Sequence, residues 1–296
     1  MRGIKLSLLA TLLAATLGGV ATQAQVHGNE SSVAIERQSW SFWGPFGGFD
    51  KGQLQRGYKI YEKVCSSCHS MNLVAFRNLG DPDGPAYAAS TVKAKAASYK
   101  IKDGPNDAGD MFERPGLASD HFPWNFANPQ AAAAALGGKA PPDMSLLAKA
   151  RSYPRPFPMF LVDPLLQYQE KGPDYIVALL TKGYAAPAPE GKEPPAGSYF
   201  NAVYPGGLIA MANPLDLIFD AGTEKPSDPE FYTDGTVPTR AQVAKDISAF
   251  LMWTAEPKLE ERHRTGFIVM IFLAVFAFLL LMVKRRVWAG LHDGAH

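Results

Sequence analysis

Cysteine is nearly absent: the 296 residues hold two, Cys65 and Cys68, three positions apart. That excludes a structural disulfide between distant segments, and it excludes a four-cysteine zinc site, which needs a second pair. An excess of either charge is also missing. Lys and Arg number 29 against 28 Asp and Glu, so the formal net charge of +1 gives no argument for a nucleic-acid partner. Proline and glycine are plentiful, 24 and 27 residues. They concentrate at 152–158 and 185–197, stretches that resist regular structure and lie on surfaces.

The two ends carry the long apolar runs. Arg2 and Lys5 precede an apolar stretch from Leu6 to about Val20, and small residues lead to Ala24. This pattern is an export signal over residues 1–24; an uncleaved anchor is the alternative, but the run is short for about 30 Å of hydrocarbon. From Thr265 to Val283 no charge occurs, with Arg264 before the run and Lys284, Arg285 and Arg286 after it. At about 1.5 Å per residue such a helix covers roughly 28 Å, the thickness of a bilayer core. A transmembrane helix is therefore expected at 263–286. The cation cluster places the tail, 287–296, in the cytoplasm and residues 25–262 on the outer side, with Trp288 at the interface.

Between the ends the readable elements are helices. Lys51–Val64 carries Leu54, Tyr58, Ile60 and Tyr61 as an approximate stripe, with Asp50 as its cap. Thr239 and Gln242 form a capping-box pattern ahead of Val243, Ile247, Phe250 and Leu251, which define one apolar face, and Pro257 ends that helix. Shorter helices are expected at 129–136, 145–151 and 174–182. The fold class is mainly α, one helical domain with long loops wrapped around a rigid centre, plus a C-terminal transmembrane helix.

That centre is specified by Cys65-Ser66-Ser67-Cys68-His69. Two thiols spaced by two residues can add to the two vinyl groups of one haem, and the histidine that follows is placed to bind the iron. A thioredoxin-like dithiol would want a strand before the motif, whereas here a helix runs into it. An electron-transfer haem needs a second axial ligand, and a thioether suits a high-potential carrier. Candidates are Met71, Met111, Met144, Met159, Met211 and Met252. Met71 is too near the motif to reach the opposite face, and Met252 lies on the capped helix. Met211 stands out because Tyr204-Pro205-Gly206-Gly207 lets the backbone approach a flat ligand closely. His121 is the rival, in a segment that reads as a loop.

Several stretches together resemble cytochrome c1, the haem-bearing subunit of the ubiquinol:cytochrome c reductase (cytochrome bc) complex, in its bacterial form. They are Gln53-Leu54-Gln55-Arg56-Gly57-Tyr58, the haem motif with Ser70-Met71, Ala140-Pro141-Pro142-Asp143-Met144-Ser145, Gly206 to Met211, and the helix-plus-anchor at the end. The resemblance implies a cytochrome c type helical domain, one covalent haem c at Cys65 and Cys68, and iron ligated by His69 and Met211. It also implies that Arg151 pairs with a haem propionate, a contact that offsets the cost of burying that charge. Three departures stand out. Leu136, Gly137 and Gly138 replace expected asparagines, the segment from Ser152 to Pro173 is long, and Lys182 interrupts a Leu-Leu-Thr-Gly-Tyr pattern. No disulfide can brace the loop around Met211.

The function so implied is electron transfer from a Rieske iron–sulfur subunit to a soluble or tethered cytochrome c. The chain would sit beside cytochrome b, in a dimeric complex, in the lipid of a bacterial cytoplasmic membrane with its haem domain in the periplasm. It would be an electron-transfer subunit rather than an enzyme by itself. From Asp216 to Asp234 six acids stand against one base, Lys225; they read equally as a docking patch for a basic cytochrome or as a solvated loop. The rival functions are a free-standing tethered carrier and a haem enzyme or sensor with an open iron site.

Overall fold

The computed structural model describes residues 33–292, apart from 156, 167, 169, 192 and 221. The export signal lies outside the described residues. Helix α1 (Lys51–Lys63) begins at the expected cap, where the Asp50 carboxylate accepts from the Gln53 N–H at 2.6 Å. Tight 3₁₀ turns come after it at Cys65–Ser67 and Phe76–Gly80. Next are α2 (Ala89–Ala97) and a hairpin of β1 (Lys100–Asp103) and β2 (Phe112–Pro115). The chain then forms α3 (Pro129–Ala135), α4 (Leu147–Ala150), α5 (Met159–Leu166) and α6 (Lys171–Ala178). A two-residue ladder joins β3 (Tyr199–Phe200) to β4 (Leu208–Ile209), and α7 (Arg240–Ala255) and α8 (Leu259–His292) complete the order.

The domain is built on the crossing of α1 and α7. At Gly57 the helices touch: an added Cβ would lie 2.2 Å from the Asp246 carbonyl oxygen, so no larger residue permits this approach. Around that point Tyr58 and Tyr61 pack their rings against Phe250 and Phe122, and Phe122 meets Phe76 edge-on at 4.6 Å. One charge is buried in the seam. Asp246, fully inaccessible, accepts from Arg56 Nε at 2.8 Å, Gln242 Nε2 at 2.8 Å and Gln53 Nε2 at 3.1 Å. A carboxylate can be held there because its lone pairs are met.

The expected stripe of α7 is buried, and the burial extends beyond it: Met252 and Trp253 are as inaccessible, because α1, α4 and α6 all pack on the helix. Its buried hydroxyls stay satisfied by turning back on the helix, Ser248 Oγ to the Ala244 carbonyl and Thr254 Oγ1 to that of Leu251. The capping box forms by half. Thr239 Oγ1 accepts from the Gln242 N–H at 3.1 Å, while the Gln242 side chain goes to Asp246 instead.

Helix α8 is the one helix among the described residues long and apolar enough to cross a membrane, and its apolar length is exposed throughout. Its first turn is tied to the domain where Glu260 Oε1 accepts from the Phe49 N–H at 2.6 Å.

Candidate haem-binding site

Helix α1 delivers its C-terminus to the Cys65–Ser67 turn, where the His69 N–H bonds the Cys65 carbonyl at 2.8 Å. The two intervening serines close the helix end, Ser66 Oγ on the Glu62 carbonyl and Ser67 Oγ on that of Val64. From across the domain Trp124 Nε1 donates to the Cys68 carbonyl at 2.9 Å and Asn125 Nδ2 to that of Ser66 at 3.1 Å. Both cysteines are half-buried free thiols on this pinned turn.

His69 Nδ1 lies 2.8 Å from the Pro142 carbonyl oxygen. A carbonyl can only accept, so Nδ1 carries the hydrogen and Nε2 keeps its lone pair for a metal. Burial lowers the imidazole pKa, opposed by the Pro142 carbonyl and Asp143, and the neutral ring is the ligating form. The Pro142 carbonyl is itself held in place. Next to it, Asp143 accepts from Ser70 Oγ at 2.7 Å and from the N–H groups of Asn72 at 2.8 Å and Ser145 at 2.9 Å. One carboxylate thus fastens the chain after the haem motif to the loop that orients His69, a supporting role of the kind that fixes ligand geometry.

Met211 is half-buried and packs on the same apolar cluster as Cys65. Its loop is closed by hydrogen bonds in place of a disulfide. Asn201, fully buried, donates from Nδ2 to the Leu179 carbonyl at 2.9 Å and accepts at Oδ1 from the N–H groups of Val203 and Tyr204, both at 3.1 Å. Gly183 makes room for that amide, since a Cβ there would come within 2.2 Å of Asn201 Oδ1. Tyr184 then donates its hydroxyl to the Met211 carbonyl at 2.7 Å. The remaining methionines sit elsewhere: Met71 and Met252 are fully buried, Met144 nearly so, and Met111 and Met159 are exposed. His121 is exposed on a loop whose backbone bridges to Ala75.

Arg151 ends α4, half-buried, and its guanidinium has no carboxylate or hydrogen-bond partner among the described residues. Helix α6 fixes the turn that presents it, because Gly172 lies against the Ala148 and Arg151 carbonyls where any Cβ would collide. A haem c needs two thiols, a neutral imidazole with a free Nε2, a second soft ligand and a cation for a propionate. The residues present fit that set.

The Cytochrome C1 family profile matches residues 40–291. The chain belongs to the cytochrome c1 family. It is 41% identical over 295 residues to the cytochrome c1 of Blastochloris viridis, covering 98% of this chain and 99% of that one. The mitochondrial cytochrome c1, heme protein, of Saccharomyces cerevisiae is 38% identical over 280 residues, 95% of this chain and 79% of the yeast one. A Bradyrhizobium diazoefficiens protein named cytochrome b/c1 is 53% identical over 265 residues, 89% of this chain, which spans only 37% of that relative's length. As a cytochrome c1 family member the chain carries a covalently bound haem c and is an electron-transfer subunit, not an enzyme by itself.

Two of the departures from the cytochrome c1 pattern have a local structural setting. Lys182 sits in a π turn, Leu179–Gly183, continuous with α6. A wider turn absorbs one extra residue without rotating the chain beyond it, so Gly183 and Tyr184 still reach Asn201 and Met211. Lys182 itself points outward to Glu36 Oε1 at 2.6 Å. Gly137 and Gly138 end α3 with φ of +76° and +94°, and the Gly138 N–H closes on the Ala133 carbonyl at 2.7 Å. The acidic stretch is less bare than its sequence window. Arg240, from α7, pairs with Asp216 at 2.8 Å and gives its N–H to Glu224, and Arg56 pairs with Asp234 at 2.6 Å.

Proposed function

We propose that the chain takes an electron from a Rieske iron–sulfur centre on a partner subunit and passes it to a soluble or tethered cytochrome c. It would do so within a dimeric quinol:cytochrome c reductase complex that also contains cytochrome b. In this reading Cys65 and Cys68 would hold the haem covalently, His69 Nε2 and the Met211 sulfur would bind its iron, and Arg151 would meet a propionate. When bound, the haem supplies one-electron cycling of its iron between ferrous and ferric states. The chain's own residues set how readily that happens. The Pro142 carbonyl orients the imidazole and raises its donor strength, while the Tyr184 and Asn201 contacts hold the thioether loop shut and water out.

The observation that carries the reading is the His69–Pro142 contact on the same pinned turn as the two free thiols. The relative named cytochrome b/c1 supports a cytochrome b partner. Lys284, Arg285 and Arg286, beyond the apolar length of α8, support a periplasmic haem domain (25–262) on a single-pass anchor (263–286), with 287–296 cytoplasmic. The acids without an ion-pair partner in the described residues, Glu224, Asp228 and Glu230, keep a smaller docking patch available to a basic cytochrome.

Optical redox titration of the holoprotein and of Met211→Leu tests the ligand assignment. The substitution should lower the midpoint potential sharply and let the reduced protein bind carbon monoxide. An unchanged potential with no carbon monoxide binding would remove Met211 from the iron.

A further inference from the structure

Among the described residues a groove lies away from the haem motif, where the domain meets the first turns of α8. It encloses about 680 Å³ between Phe160 and Lys171 on one side and Arg262, Phe267 and Met270 on the other. Helix α5 forms its outer lip with an apolar face that nothing in the domain covers. Phe157 is 77% exposed, Leu161 55% and Phe160 50%, and the rings of Phe157 and Phe160 lie 6.4 Å apart. On the far side Phe46, 77% exposed, meets Phe267 edge-on at 5.4 Å.

Height along α8 decides what these side chains face. Arg264 is the last charge before the apolar run, and the groove continues past it to Phe267, Val269 and Met270. At about 1.5 Å per residue, these lie roughly 5–9 Å on the membrane side of Arg264. Phe160 shares the groove with them, which brings α5 to the membrane-facing end of the domain, next to the start of the apolar run. The charges at the rim fit the layer just outside. Lys171 and Arg262 line it, and its one carboxylate, Asp163, is neutralised by ion pairs with Arg155 and with Lys171 at 3.0 Å.

We propose that α5, through Phe160 and Leu161, together with Phe157 just before it and with Phe46, is a second membrane contact. It rests in the outer-leaflet interface beside α8, where the rim charges are balanced within the chain by the Lys171–Asp163 and Arg262–Glu256 pairs. Exposed aromatics flanked by cations at one depth are the composition of an interfacial segment. Such a contact would fix the tilt of the haem domain over the bilayer, which a single α8 junction leaves free to swivel. The proposal goes beyond the electron-transfer reading and rests only on α8 crossing the membrane.

The test replaces Phe160 with the photoreactive residue p-benzoylphenylalanine in the full chain, irradiates native membranes and identifies adducts by mass spectrometry. Phe157 serves as a second position, Phe272 within the span as a positive control and Phe112 on the hairpin as a negative one. Retention of the c-type haem spectrum verifies folding. Phospholipid adducts at 160 and 157, in yield comparable with 272 and absent at 112, are the expected result. Crosslinks from 160 to another polypeptide would overturn the proposal by making this face a subunit contact. An absence of adducts at 160 and 157 alone would overturn it by placing the face in water. Failure at 272 as well would reject α8 as a span, and the proposal with it, without touching the haem assignment.

Discussion

Tyr184 shows how much a single hydroxyl can carry. It donates to the Met211 carbonyl at 2.7 Å, so Tyr184→Phe leaves that oxygen without its donor at one of the points that tie the Met211 loop to the chain at and just beyond the π turn. A loss of about 1 kcal/mol is expected for the loop's closed form. Reduced Tyr184→Phe should therefore bind carbon monoxide measurably faster than the parent, read by flash or stopped-flow absorbance; equal resistance would mean the loop is closed by other contacts. This residue was not legible in the sequence, because nothing in Lys182-Gly183-Tyr184 marks a partner 27 positions away. The haem motif was legible because its chemistry is local. Asp120 offers a second test at this scale. Hydrogen bonds from Arg114 and from the Leu117 N–H hold its carboxyl pKa down to about 2. A group depressed below the ordinary value of about 3.9 contributes stability above that pH and loses it as pH falls through the folded value. Melting temperature should thus decline between about pH 4 and pH 2, and Asp120→Asn should be less stable near neutrality with a flatter decline over that window.

Among the elements, α1 and α7 were readable to within a residue of their starts, α3, α4 and α6 in part, and α2 and α5 not at all. Asp50 and Thr239 announced α1 and α7 because a short acceptor before an apolar periodicity has one good use. Helix α5 escaped because Asp163 and Pro164 interrupt its short apolar stretch, and the β1–β2 hairpin because both its faces are largely open to water and so lack alternation. The burial of all sides of α7 could not be foreseen from its stripe, since it depends on three helices arriving from distant sequence. The π turn makes the sharpest prediction for an element. If Leu179–Gly183 is widened to hold one extra residue, deleting Lys182 should let it relax to an ordinary α turn with Gly183 and Tyr184 kept in place. The deletion variant should keep its haem spectrum and potential, at the cost of the exposed Glu36 pair. Loss of the methionine-ligated spectrum would show that the turn is not an insertion bulge.

At the scale of the whole molecule, sequence and structure converge on a haem domain hung beside a bilayer on α8. The domain is held together by the α1–α7 crossing at Gly57, and the segments carrying His69 and Met211 are fastened by Asp143 and Asn201. Charges that look unbalanced along the chain are largely balanced in space, since Arg56 and Arg240 reach into the acidic stretch. That limits what electrostatic steering this surface can supply and leaves the partner subunits to set the path of the electron. The most direct test is isolation of the full chain from its native membrane in mild detergent, with haem spectra and an inhibitor-sensitive quinol:cytochrome c reductase assay on the same fraction. The account predicts recovery with b-type haem, an iron–sulfur partner and that activity. Recovery of c-type haem alone, without quinol oxidation under conditions that keep other membrane complexes intact, would contradict it and leave a solitary tethered carrier.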